Sequence, residues 1–304
     1  AIIREYEHAG LVEGGQTMFV PSGTSYFMSF FIPRPAPVTV VYPSDVDDAI
    51  WELIAPVLAK PTNQGRPRVH SDRLVYNAIL YVLRGGITWR MLPKSFPPWQ
   101  TVYGRFRTWA DNGTWQRLTA TLRQNLRIEL GREPHPSAGV IDSQSVATGP
   151  GGGAVGNDPG KKVRGRKRHL LVDTEGLVVT VVVTPANVQD PTAAPEVFAE
   201  AKEQSPRLSH VWADGRYQGK LIGWAKEELG ITVEIVSRLP GQKGFVVLPR
   251  RWVVERTFAW LGRYRRLARD WEAASWSACA LIHIAASNMM ARRIARYRAL
   301  YQVA

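Results

Sequence analysis

The spacing of apolar residues changes once along this chain, near residue 137, and that change limits the fold more than any other feature. Before it, apolar side chains recur every three or four residues, the repeat of a helix packed on one side. After it come short apolar runs rich in Val, Leu and Thr, the mark of strands.

The helical zone runs from about Tyr42 to Arg132. Ser44 with Asp47 three residues on forms a capping arrangement, and Ile50, Leu53, Ile54, Val57 and Leu58 follow at helical spacing. After a break at Pro61 to Pro67, Ser71 caps a second helix that carries Leu74, Ile79, Tyr81, Val82 and Leu83 and stops at Gly85-Gly86. Trp99 to Ala110, closed by Asn112-Gly113, and Trp115 to Leu130, closed by Gly131, read as two more helices. Arg105, Arg107, Arg117 and Arg123 are expected on their exposed faces. Short helices with sharp turns and free arginines suit a helix-turn-helix module, and equally a small bundle.

The second zone, Ser137 to about Arg238, alternates. Ala138 to Asp142 is a strand-like run, and His169 to Asp173 with Leu177 to Thr184 form a hairpin about Thr174-Glu175-Gly176. Glu196 to Gln204 reads as a helix, His210 to Asp214 as a strand, Lys220 to Leu229 as a helix and Ile231 to Val236 as a strand. That order predicts an α/β domain, a mixed sheet with flanking helices. Gly149 to Gly156 is expected to be a flexible loop. A loop at Pro240 to Gly244, a long helix from Arg251 to Glu272 and a last helix from Ser275 to Tyr297 complete the chain. Trp252, Trp260 and Trp271 are expected in the core.

The chain has 304 residues and a net charge of +13. Self-repulsion opposes such an excess, so a polyanionic partner is the simplest reason to carry it. One cysteine, Cys279, excludes a disulfide framework and a cysteine zinc site within the chain and fits a reducing, cytoplasmic setting. No apolar run predicts a membrane span. Met18 to Val41 is apolar but broken by prolines, so neither a span nor a signal peptide is expected there. Residues 1–41 are expected to be an irregular leader without an assigned function.

Two apolar runs end in a carboxylate, Asp142 and Asp214, and functional groups gather at the C-terminal ends of strands in open α/β sheets. On neighbouring strands they would stand about 5 Å apart. Glu255 lies on a helix whose Val254, Phe258 and Leu261 can pack on the sheet and present the acid at the same edge. Two bare carboxylates 4 Å apart repel by about 4 kcal/mol at an effective dielectric of 20. Hard divalent ions relieve that repulsion, so the pattern points to two Mg²⁺ ions, with Mn²⁺ as a substitute, and to phosphoryl transfer. Taken singly, each aspartate has a plainer reading as a cap or turn former, and Glu255, flanked by Arg251 and Arg256, as a surface ion-pair member. Asp173 is explained by its turn, and Asp190 by a turn or cap before Pro191.

Lys161, Lys162, Arg164, Arg166, Lys167 and Arg168 run straight into the His169 strand beside the acids. They read as a loop gripping DNA phosphates. Arg263, Arg265, Arg266 and Arg269, on the Glu255 helix, are placed to hold the backbone as well.

These stretches resemble, in order, those of bacterial insertion-sequence transposases of the DDE type, specifically the insertion-sequence-five family. They are YPSDVDDAIWELIAPVL from Tyr42, LYVLRGGITWRMLPKSFPPWQTVYGRFRTW from Leu80, IDSQSV from Ile141, GKKVRGRKRHLLVDTEGL from Gly160, WADGRYQGKL from Trp212 and GFVVLPRRWVVERTFAWLGRYRRLARDWE from Gly244. The resemblance implies a ribonuclease-H-like catalytic domain over 137–297 with Asp142, Asp214 and Glu255 as metal-binding catalytic acids. It also implies a helical domain over 42–132 that recognises the ends of a mobile element. Departures from the family pattern are Ala147, Asn157-Asp158-Pro159, Arg216 and Gly262. The expected function is a transposase that binds terminal inverted repeats, cleaves a strand and transfers it to target duplex DNA, acting as a homodimer or larger oligomer. An inactive DNA-binding relative and a stand-alone nuclease of the same fold are the alternatives.

Overall fold

Four helices form where the period predicts them. In the computed structural model, which describes residues 42–59, 68–150, 152–237 and 250–301, they are α1 (Asp48–Leu58), α2 (Asp72–Gly85), α3 (Trp99–Asp111) and α4 (Thr114–Glu129). The breaks expected at Pro61 to Pro67 and Pro240 to Gly244, and the leader over 1–41, lie outside the described residues. Asp47 rather than Ser44 caps α1, its carboxylate accepting from the Ile50 N–H at 2.8 Å. Ser71 caps α2 as expected, accepting from the Leu74 N–H at 3.3 Å. Trp115 on α4 is wholly buried and donates its indole N–H to the Phe106 carbonyl at 3.1 Å, so the polar end of a large core residue is satisfied.

The strands are β1 (Ala138–Ala147), β2 (Gly156–Asp158), β3 (Val163–Asp173), β4 (Val178–Pro185), β5 (His210–Ala213) and β6 (Thr232–Ile235). They line up as β2-β3-β1-β5-β6, with β4 pairing β3. β1, β3 and β4 pair antiparallel, while β5 joins β1, and β6 joins β5, in parallel. Helices α5 (Asp190–Gln204) and α6 (Lys220–Leu229) cover one face, through Ile141, Val211, Phe198 and Leu221. The other face, through Val140, Leu170 and Val172, packs on α7 (Trp252–Leu261), α8 (Arg265–Ala268) and α9 (Ser275–Tyr301). The same buried cluster continues into α1 to α4, so the helical zone and the sheet share one core.

Three expectations change here. The long helix expected from Arg251 to Glu272 stops at Leu261 and resumes as the short α8. Tyr264 turns inward and accepts from Asn288 Nδ2 at 2.9 Å, and the Asp270 N–H donates to the Ala147 carbonyl at 3.0 Å; both pull the chain off the helix axis. The glycine stretch after Gly149 is held by backbone bonds, Gly149 N–H to Asp270 at 2.7 Å and Gly153 N–H to Ala273 at 2.9 Å. Of the tryptophans expected in the core, Trp252 and Trp271 are exposed.

Candidate active site

The parallel register of β1 and β5 sets Val140 against Trp212. Carried two residues further, it brings Asp142 beside Asp214, on strands whose spacing is about 5 Å. Alternation along β1 puts Ile141 in the core with α5 and Val140 in the core with α7, so Asp142 falls on the α7 face. Asp214, just past β5, caps the turn Gly215–Tyr217, its Oδ1 accepting from the Arg216 N–H at 2.9 Å.

Glu255 stands in the first turn of α7. Val254, Phe258 and Leu261 bury the stripe that the sequence anticipates, and Glu255 stays exposed beside it. Arg251, one helical turn earlier, links the acids. Its Nη2 lies 3.8 Å from Asp214 Oδ2 and 3.7 Å from Glu255 Oε1, so the two carboxylates are no farther apart than those contacts laid end to end. The sequence drew attention to Arg251 only as a neighbour of Glu255; the four-residue spacing was the signal available.

Burial pushes the Asp142 carboxyl up to about 6. The Ser143 N–H, 2.7 Å from Oδ1, opposes the rise, Asp214 adds to it, and Arg251 and Lys161 oppose it. Lys161 reaches this place by donating Nζ to the Ser143 carbonyl at 3.2 Å. The donor set is three carboxylates with hard oxygens and a repulsion that a divalent cation relieves, which suits Mg²⁺ or Mn²⁺. Among the described residues no three acids are close enough to enclose an ion as they stand. Arg251 fills the space between Asp214 and Glu255, and the exposed Glu255 side chain has room to move.

The basic run divides in two. Lys161, Lys162 and Arg164 are exposed. Arg166, Lys167 and Arg168 are buried within β3, which corrects the expectation that they face DNA. Arg166 pairs with Asp270 at 3.0 Å, Lys167 with Asp190 at 3.2 Å, and Arg168 donates to the Leu267 carbonyl at 2.7 Å. The period-two alternation of a strand sends Arg166 and Arg168 to one face and Lys167 to the other. Asp190, expected as a turn or cap residue, is instead the first residue of α5, whose cap position is Gln189; it is a buried counter-ion that also meets Arg216 at 3.4 Å.

Arg266 is buried against Glu272 at 2.8 Å, and Arg123 is buried against the carbonyls of Val178 and Gln204, so neither faces outward as expected. Arg105 is half-buried in a pair with Asp72 at 2.6 Å. Arg107 is exposed, 3.6 Å from Asp111, and Arg263 is exposed past the end of α7. Asp173 sits beside the start of β1, opposite Gly139, where its carboxylate pairs with Arg127 at 2.5 Å and accepts from the Glu175 and Leu177 N–H groups. Among the described residues no helix is long and apolar enough to cross a membrane.

A family model described as a transposase DDE domain matches residues 133–289. A model for candidate transposases of the IS4/5 family matches residues 46–119. An uncharacterized 16.2 kDa protein of insertion element IS402 from Burkholderia cepacia is 34% identical over 121 residues, 38% of this chain and 80% of that protein. A candidate transposase for the same element and organism is 33% identical over 121 residues, 37% of this chain and 57% of its own length.

Proposed function

The chain belongs to the insertion-sequence DDE transposases, enzymes that cut and transfer DNA with divalent metal ions, and on that premise we propose that Asp142, Asp214 and Glu255 are its catalytic acids. The ribonuclease-H-like mixed sheet and its covering helices supply the frame. The observation that supports the assignment is the parallel β1–β5 register, Val140 opposite Trp212, which carried two residues further sets Asp142 beside Asp214, together with Arg251 lying 3.8 Å from Asp214 and 3.7 Å from Glu255. We propose that two Mg²⁺ ions, replaceable by Mn²⁺, bind there. When bound, such ions lower the pKa of the attacking oxygen and steady the leaving one.

The residues of the chain do the rest. The backbone N–H groups of Ser143 and Arg216 fix one oxygen of Asp142 and of Asp214, which leaves the other oxygen of each for a cation. Lys161 holds a positive charge at the Ser143 carbonyl, within reach of a phosphate oxygen on the Asp142 side. Lys162 and Arg164 extend that charge outward along the start of β3. Arg107 on α3 and Arg263 past α7 are exposed cations for DNA farther from the acids, and Arg105 serves after release from Asp72. The partners are the terminal inverted repeats and a target duplex, bridged by at least two protomers because two ends must meet.

The test is a labelled duplex carrying an end of the element, incubated with the purified protein and Mg²⁺. Nicking followed by strand joining supports a transposase of this mechanism. Nicking without joining indicates a nuclease, and binding without nicking indicates an inactive relative. Asp142→Ala, Asp214→Ala and Glu255→Ala should each abolish cleavage while end binding persists. Ordinary activity in any one of them removes that acid from the site.

A further inference from the structure

A cleft of about 680 Å³ opens at the Gly139 end of β1, three residues along the strand from Asp142, between the β3–β4 turn, α7 and α9. Arg84, Arg256, Arg263, Arg292, Arg293 and Arg296 line it, with Glu175 as the only acid among its lining residues. Glu175 is already shared, 2.7 Å from Arg132 and 3.6 Å from Arg293. Among the described residues the other five lining arginines have no carboxylate partner. Arg256 is clamped between the rings of Trp252 and Trp260, 4.4 and 4.5 Å from their centres, and donates to the Glu175 carbonyl at 3.0 Å. Its buried Nε has no partner among the described residues. Gly176 lets the turn come this close: its φ is 82°, and a Cβ there would sit 2.9 Å from Thr257 Oγ1 and 3.2 Å from the Arg256 guanidinium.

Arg292 donates to Asn288 Oδ1 at 3.3 Å and to the Asp45 carbonyl at 3.2 Å, so polar groups hold it without neutralising it. Gathering five guanidinium charges with no carboxylate partner among the described residues around one cleft opposes folding unless an anion comes to it. Planar guanidinium forks suit phosphate oxygens. The cleft shares α7 with Glu255, so a duplex engaged at the acids has its backbone nearby. We infer that this arginine cleft seats backbone phosphates of the DNA substrate, as a binding site separate from the acids. The inference rests on the transposase reading for the identity of the anion. It does not depend on the acids being catalytic.

The test is binding of a 30-base-pair duplex to the full chain in excess chelator, which removes cleavage from the measurement. Arg84→Gln, Arg263→Gln and Arg296→Gln are combined, since none of these has an ion-pair partner whose loss would disturb the fold. Arg207→Gln, Lys220→Gln and Lys226→Gln, on the α5–α6 side, remove the same charge as a control, at the loss of one exposed pair, Arg207 with Glu133, worth little to stability. The cleft variant should bind at least tenfold more weakly than the control, and its log–log salt slope should fall by about 0.9 for each phosphate lost. Equal affinity and slope in the two variants overturn the inference. Tight calorimetric binding of inorganic pyrophosphate, lost in the cleft variant while duplex binding matches the control, assigns the site to a small phosphate ligand and overturns it as well. Loss of cleavage in the acid variants with intact duplex binding leaves this site standing, so the two readings fail separately.

Discussion

Arg251 places its guanidinium 3.8 Å from the carboxylate of Asp214, in the space where a cation would serve the acids. A fixed positive charge there repels a divalent ion while it relieves the carboxylates. Arg251→Gln should therefore raise Mn²⁺ affinity roughly tenfold in the absence of DNA, well below the Coulomb limit because the side chain is partly exposed. Calorimetric titration measures this directly. Unchanged or weaker binding would show that Arg251 does not compete with the metal.

Arg166 is a structural cation, although its neighbours in sequence suggested a DNA contact. It is 1% exposed, pairs with Asp270 at 3.0 Å and donates to the Glu272 carbonyl at 2.8 Å. Arg166→Met leaves Asp270 charged and buried, which costs about 3–5 kcal/mol of stability. Arg164→Ala, on the exposed part of the run, should stay within about 0.5 kcal/mol. Urea unfolding of both variants separates the roles. A mild effect at Arg166 would return it to the list of DNA contacts.

This contrast also shows what the sequence could convey. Local patterns carried the helices of the first zone, the hairpin at Glu175-Gly176 and the strand end before Asp214, because caps, turns and apolar alternation are written in neighbouring residues; Asp142 was expected at a strand end, but β1 runs on to Ala147 and holds it in mid-strand. The basic run misled because its partners, Asp190, Leu267 and Asp270, come from distant parts of the chain. Charged residues in a strand look like a solvated loop until those partners are known. The end of α7 was hidden for the same reason, since Asn288 and Ala147 draw Tyr264 and Asp270 away from the helix. Arg251 carried a helical spacing to Glu255 but no local sign of Asp214.

His283 gives the core a pH dependence. It is buried between α4 and α9, with Nδ1 3.0 Å from Thr119 Oγ1, and burial followed by Arg123 lowers its pKa to about 4. The unfolded chain then takes up a proton near pH 6.5 that the folded chain refuses. Stability from this group is complete above pH 6.5 and is lost as the pH falls toward 4. Between pH 7 and 5 the loss is about 2 kcal/mol. In His283→Asn the fall in unfolding free energy over that interval should be smaller by this amount. An identical fall in both proteins would show that His283 titrates normally in the fold.

Gly165 tests the pairing that positions Asp142. It faces Ala147 across β1 and β3, and a Cβ built there lies 2.0 Å from the Val146 carbonyl oxygen and 2.8 Å from the Thr148 nitrogen. Both contacts are backbone atoms and cannot swing away, so Gly165→Ala has to push the strands apart at the end of β1. A destabilisation of about 1–3 kcal/mol is expected, in the range of overpacked cores. The displaced strand end carries Lys161 and the loop beside the acids, so cleavage should fall further than stability explains, while binding at the distant arginine cleft holds. Measuring unfolding, nicking and duplex binding on this one variant checks the chain of dependence. Full nicking in a destabilised protein would mean that the β1–β3 pairing at this end does not position Asp142.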